Sequence, residues 1–222
     1  MQPVSFPHAG VKITLVDTPG FNNTTKSDIQ VMLEICNWMS GSYRKGKLLS
    51  GIIYLHRITD VRMDGPSQKT LMMFGRLCGP NALQNVLLTT THWSNVDPAR
   101  GMEREDNLRD GNFWGGFISR GASLERFMGT RESGLELIYK LMHKEPKPLR
   151  IQHQMVDEGR RISQTDAGEF MNAGQTSLQK KHQGELEDLR RELREALNQK
   201  DDLLREILAE QRDKAQENWK MR

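Results

Sequence analysis

Apolar and polar positions follow three regimes along these 222 residues. Short β-branched runs come first, and amphipathic stretches of helical period lie between them. A charged segment with leucines at heptad spacing closes the chain. VKITLV, from Val11 to Val16, reads as a buried strand. Ser27 or Asp28 caps the next segment, where Ile29, Met32, Leu33, Ile35 and Cys36 recur on one helix face, and Gly41 and Gly46 end it. SGIIYLHRI (Ser50 to Ile58) is a second apolar strand. Pro66-Ser67 opens a helix carrying Leu71, Met72, Phe74, Leu77 and Cys78, stopped by Gly79-Pro80. NVLLTTT (Asn85 to Thr91) is a third strand. The stretch Asp97 to Gly121 is charged and glycine-rich, and its pattern assigns no element. SLERFMG (Ser123 to Gly129) reads as a short fourth strand, and Glu132 to His143 as a closing helix before Lys144 to Pro148 break the pattern.

Strands that alternate with helices imply an α/β domain, a parallel sheet with helices on both faces. Ligands of such sheets bind beyond the carboxyl ends of the strands. Asp17, Arg57 and Thr91 all fall at those ends, so one rim is expected to collect the chemistry.

Past Pro148 the character changes. After Gly184 there is neither Gly nor Pro. Leu186, Leu189, Leu193, Ala196, Lys200, Leu203 and Ile207 fall at alternating steps of three and four, an a/d seam flanked by Glu, Arg and Lys. Lys200 at an a-like position weakens the seam. A single amphipathic helix folded back on the domain is the alternative to pairing. The expected organisation is an α/β domain over residues 1–145, a partly helical linker over 146–176 and a coiled coil over 177–220.

Composition narrows the function classes. Charged residues make up 27% and mean hydropathy is −0.67, yet the net charge is only +3, too little for a nucleic-acid-binding stripe. No apolar run reaches the roughly 18 residues needed to span a bilayer, and MQPVSFPHAG lacks the regions of a signal peptide. Cys36 and Cys78 sit among apolar residues without a C-x-x-C partner, so they read as reduced core thiols. A soluble, cytoplasmic protein is expected. No Ser-His-Asp pattern, metal-ligand cluster or pair of catalytic carboxylates supports an enzyme of unrelated chemistry.

The chemistry-bearing motif is VKITLVDTPGF, Val11 to Phe21. An apolar strand runs straight into Asp-Thr-Pro-Gly and then an Asn/Thr-rich loop. A carboxylate at the end of an apolar strand falls on the rim where ligands of such sheets bind. A glycine three residues on lets the backbone come close to a ligand. Asp17 capping a turn that Pro19-Gly20 merely shapes is the plainer alternative.

The order of VKITLVDTPGF, SGIIYLHRITDVRM, NVLLTTTHWSNV and ASLERFMGTRES resembles the septin and immunity-associated branch of the P-loop GTPases. It is most similar to G-domain proteins of filamentous fungi that end in coiled coils. The resemblance runs from Val11 to Met142 and implies an incomplete P-loop NTPase (G domain) sheet, followed by a long C-terminal helix or coiled coil. It implies GTP with Mg²⁺ as ligand and cofactor, and GTP hydrolysis in the family. Asp17 matches the Mg²⁺ position, Thr18 and Gly20 the γ-phosphate loop, and Phe21 to Lys26 the nucleotide-sensitive switch. No glutamine follows DTPG to orient water; Phe21 and Asn22 stand there.

Two departures follow. The guanine-reading [NT]-K-x-D aligns with Thr91, His92, Trp93 and Ser94, and a serine hydroxyl cannot supply the two anionic acceptors of an aspartate. Asp97 is a substitute if the loop turns inward, and Trp93 a candidate to stack on a base. The phosphate loop G-x-x-x-x-G-K-[ST] occurs nowhere in the 222 residues, which removes the main phosphate contacts and a central strand. The intact order of the other motifs favours an incomplete copy of a longer chain over a decayed GTPase. Two readings of function stand: a GTP-binding domain with a coiled-coil arm for self-association or another protein, and a nucleotide-free pseudo-GTPase acting through the coiled coil.

Overall fold

A computed structural model describes residues 1–21, 26–60, 65–174, 183–188, 191, 209–216 and 219. The chain divides into two compact units, Met1–Glu169 and Phe170–Arg222. The heptad positions Leu189, Leu193, Ala196, Lys200, Leu203 and Ile207 lie outside the described residues, as do Asn22 to Thr25 of the expected switch loop. In the second unit, residues 183–188 and 209–216 are helical, and Leu186 is buried.

The first unit holds two sheets. β1 (Gln2–His8) and β2 (Val11–Asp17) form an antiparallel hairpin, with Gln2 opposite Asp17 and His8 opposite Val11. Ala9 and Gly10 turn it, both at positive φ (48° and 78°). β3 (Ile52–Arg57), β4 (Val86–Thr91) and β5 (Ser123–Arg126) form a parallel sheet in that order. The expectation of a buried first strand is corrected here. β2 exposes Val11 and Leu15 at 43% and 42%, and only Ile13 is buried. Among the described residues it pairs with β1 alone, which the opening MQPVSFPHAG did not signal, because Pro3, Pro7 and His8 dilute the strand pattern. Pro is tolerated in β1 because a two-stranded ribbon leaves half of its N–H groups unpaired.

β4 is buried along its whole length, as a central parallel strand must be. Its alternation divides the core. Val86 and Leu88 pack with Ile58, Leu71, Leu108 and Trp114 on one face, and Leu87 packs with Leu137 and Leu141 on the other. The three threonines that end β4 are buried with their hydroxyls satisfied: Thr89 donates to the Leu87 carbonyl, Thr90 to Glu105 and the Glu125 carbonyl, and Thr91 to the His56 carbonyl.

The helices follow their capping signals. α1 (Asp28–Arg44) starts at a Ser27/Gln30 capping box and buries Val31, Met32, Ile35, Cys36 and Met39 along one face. It runs through Gly41 and stops at Lys45-Gly46, where φ of Gly46 is +69°. α2 (Gly65–Cys78) ends at Gly79, also at positive φ. α3 (Pro98–Leu108) lies inside the stretch left without an element; Asp97 as N-cap and Pro98 at N1 were its readable signal. A π-helical turn (Gly111–Gly115) and the short α4 (Gly116–Ile118) follow. The turn seats Trp114 wholly inside the core, edge-on to Tyr54 and His56, with no hydrogen-bond partner for its N–H among the described residues. α5 (Arg131–Met142) is capped by Thr130 and covers the Leu87 face. The short α6 (Arg150–Gln152) is fastened to the C-terminal half of α1. Buried Gln152 donates to the Met39 carbonyl at 3.1 Å, Ser40 to Met155 at 3.2 Å, and Tyr43 to Asp157 at 3.0 Å. No described helix is long and apolar enough to cross a membrane.

Candidate functional site

Register brings one set of the expected residues together. Arg57 pairs with Thr91 and Thr90 with Arg126, so the ends of β3, β4 and β5 form a common rim. Asp17 ends β2, in the other sheet, opposite Gln2. The expectation of a single sheet edge carrying Asp17, Arg57 and Thr91 is corrected: Arg57 and Thr91 share one sheet, and Asp17 stands in another.

At Asp17 the geometry is open. The carboxylate makes no hydrogen bond or ion pair among the described residues, and Asp17, Thr18 and Gly20 are exposed. A carboxylate that capped its own turn would show a backbone N–H on its oxygens. None is present, so the side chain is available to a cation or its hydration shell. Among the described residues nothing lies within 4 Å of a Cβ built on Gly20, which leaves room for a ligand beside the backbone. No group of three or more His, Cys, Asp or Glu among the described residues is arranged to hold a metal by itself.

The loop after β4 is the more constructed part. His92 adopts the left-handed conformation (φ 61°, ψ 34°) and starts a 3-10 turn over Trp93–Asn95. Its Nδ1 lies 2.9 Å from Thr91 Oγ1, a contact that fixes the ring beside the strand end. The Ser94 hydroxyl donates to Asn95 Oδ1 at 3.1 Å. Asp97 is committed to α3, where Oδ1 accepts from the N–H groups of Ala99 and Arg100 at 3.1 and 3.2 Å. The proposed inward substitute for the missing aspartate is therefore serving as a helix cap.

Trp93 is held on several sides. Its Nε1 donates to Thr90 Oγ1 at 3.0 Å, and the Arg126 guanidinium lies over its ring, 4.2 Å from the centroid. Gly101 of α3 makes the seat possible, since a Cβ there would come 2.7 Å from Trp93 Cζ3. Beneath lies the residue that sequence reading missed. Glu105, 3% exposed, takes Arg126 in a fork: Nε at 3.0 and 3.1 Å and Nη2 at 2.6 Å. It also accepts from Thr90 at 3.1 Å. Arg126 is held more firmly in its protonated form by this carboxylate, chiefly through the hydrogen bonds and then the charge. Glu105 sits in GMERED, where a buried acid looks like its solvated neighbours. Only its distance from Arg126 in space marks it out.

A polar rim results. It offers guanidinium N–H groups, an imidazole and two threonine hydroxyls already engaged, and the loop ends at exposed Asp97, whose Oδ1 is held by the N–H groups of α3.

No family model matches the chain. GTP-binding protein A of Dictyostelium discoideum is 27% identical over 104 residues, which cover 45% of this chain and 22% of that protein. The chain thus spans about a fifth of that relative's length. Among solved structures, Toc33 from Arabidopsis thaliana in complex with Mg²⁺ and GMPPNP is similar at a TM-score of 0.47 and 18% identity, over 59% of this chain and 57% of that one. Toc33 in complex with GDP and Mg²⁺ gives 0.46 and 18%, covering 58% and 57%. What this chain displays of itself is an α/β unit with a three-stranded parallel sheet whose carboxyl ends form a polar rim.

Proposed function

We propose that the chain is a GTP-binding domain of the P-loop GTPase type, from the septin and immunity-associated branch and nearest the coiled-coil G-domain proteins of filamentous fungi. Mg²⁺ would be held through water by Asp17, with Thr18 and Gly20 beside the phosphates and Thr91, His92, Trp93 and Ser94 around the base. The observation that carries the reading is the free Asp17 carboxylate at the end of β2, directly ahead of Thr-Pro-Gly, with no turn to cap. The name of the relative, GTP-binding protein A, points the same way. Affinity for GTP is expected to be weak. The 222 residues hold no Gly-rich phosphate loop with its lysine, and a phosphate without such a cradle gains few charge-assisted hydrogen bonds.

The test is a titration of GTP with Mg²⁺ followed by ligand-observed NMR. Weak saturable binding that disappears in Asp17→Ala and on chelation of Mg²⁺ is expected. Binding indifferent to Asp17→Ala overturns the site, and absence of binding at millimolar GTP overturns the reading.

A second reading is a nucleotide-free interaction protein with a C-terminal coiled-coil arm. Ser94 in place of a carboxylate favours it, as does Asp97 spent on a cap. Sedimentation of the chain, with GTP absent, decides whether it self-associates.

A further inference from the structure

Away from the rim, the first unit holds a cavity of about 660 Å³ between α2, the π-helical turn and α4. α2 carries the chain from the end of β3 back to the start of β4, and Arg76 and Gly79 at its far end line the cavity. Leu83, just ahead of β4, and Arg120, just ahead of β5, line it too. The cavity therefore lies toward the amino ends of the parallel strands, at the other end of the sheet from Thr91 and Arg126. Volumes of roughly 300–1,000 Å³ with mostly apolar walls are those of small-molecule sites.

The lining divides into an apolar part and a cationic part. Leu71 and Leu83 are buried, and Phe113 and Phe117 are half-buried. The Phe117 ring is set by its stack on Phe74, 6.1 Å between centroids, and by Gly75, where a Cβ would come 3.0 Å from Phe117 Cζ. This wall is pre-formed, so an apolar body placed on it buries area without ordering the ring. The charged lining residues are Arg76 and Arg120, with no carboxylate among the described ones. Their present duties differ. Arg76 Nη1 donates to the Met72 carbonyl at 3.3 Å and so answers the negative end of α2. The exposed Arg120 guanidinium makes no hydrogen bond or ion pair among the described residues. An apolar pocket edged by a guanidinium with no counter-charge suits a carboxylate carried on an apolar body.

We propose that this cavity is a binding site for a small organic carboxylate, its apolar body against Phe117 and Leu83 and its carboxylate on Arg120. Arg120 determines specificity, because the walls alone would accept an uncharged ligand of the same shape.

The probe is 2-naphthoate, with 2-naphthylmethanol as its uncharged counterpart, titrated into the full chain carrying isotope-labelled methionine methyl groups. Met72 lines the cavity and is 53% exposed, while Met102 (48%) and Met128 (53%) are as accessible and do not line it. 2-Naphthoate should shift the Met72 methyl resonance saturably and leave those of Met102 and Met128 in place. The alcohol should act on the same methyl about tenfold more weakly, the loss of a charge-assisted contact. Three methyls moving alike would show adsorption to exposed apolar surface, and a Met72 methyl unmoved by millimolar naphthoate would show that nothing binds. Either result overturns the proposal. GTP is absent throughout, so failure of nucleotide binding leaves this test untouched.

Arg120→Gln removes the charge at an exposed position, and near-ultraviolet circular dichroism should be unchanged. Naphthoate should then bind about tenfold more weakly, level with the alcohol, whose own affinity stays as before. Naphthoate affinity that survives Arg120→Gln, or an alcohol that binds the native chain as tightly as naphthoate, overturns the role of Arg120 and the carboxylate class.

Discussion

Truncating Arg126 should cost more stability than truncating Glu105, although both changes delete the same ion pair. The two side chains differ in their access to water: 43% of Arg126 is exposed and 4% of Glu105. In Arg126→Ala the carboxylate stays buried with the Thr90 hydroxyl as its remaining donor. An uncompensated buried charge of this kind costs about 3–5 kcal/mol. In Glu105→Ala the guanidinium turns to solvent. Thr90 keeps the Glu125 carbonyl as acceptor, so the loss is the net worth of the hydrogen bonds, about 1–2 kcal/mol.

The double variant decides the mechanism. Glu105→Ala with Arg126→Ala removes the stranded charge, so it should be more stable than Arg126→Ala alone. Loss of the guanidinium from the Trp93 face, about 0.5–1 kcal/mol, is common to both and cancels in the comparison. Urea unfolding followed by tryptophan emission and far-ultraviolet circular dichroism reads all four chains. If Glu105→Ala is the costlier single change, or the double variant lies below Arg126→Ala, the carboxylate is not the stranded group and the reasoning fails.

Two further outcomes follow from the same geometry. Gly101→Ala gains about 1 kcal/mol of helix propensity but drives a methyl toward Trp93 Cζ3, 2.7 Å away, and overpacking a clamped ring costs about 1–3 kcal/mol. A net loss with altered tryptophan emission is expected; a more stable chain with unchanged emission refutes the clamp. Burial pushes the Cys36 thiol from 9.0 to about 12 and the Tyr54 hydroxyl from 10.0 to about 12, so above these ordinary values the unfolded chain releases protons that the folded chain retains. The contribution of these two groups should therefore be level below about pH 9 and fall toward pH 12, from about pH 9 for Cys36 and about pH 10 for Tyr54, by roughly 1 kcal/mol per pH unit for each, and urea midpoints that do not fall over that range contradict the burial.

The course of the chain was largely legible in the sequence, because each element carries its own local signal. Ser27 followed by Gln30, the apolar stripe of α1, Gly79 after α2 and the unbroken VLLTTT of β4 need no distant partner to be recognised. α3 was the exception, since a helix as polar as PARGMEREDNL has little apolar stripe to show, and its cap and Pro98 were its only marks. β1 was missed for a related reason: its strand exists by pairing with β2, and two prolines hide its pattern.

The candidate site divides along the same line. Asp17, Thr18, Gly20 and Thr91 to Ser94 could be named from sequence because a strand followed at once by small polar residues is a contiguous pattern. Their roles could not be settled that way. That Trp93 lies beneath Arg126, and that Glu105 is a buried acid paired with Arg126, are facts about residues 33 and 21 positions apart, and only folding sets those distances. Hydrophobic period and caps act between near neighbours, so one chain fixes where its strands and helices run. Which carboxylate is buried and which cation is paired with it depends on packing across the sheet, and the tertiary structure decided both.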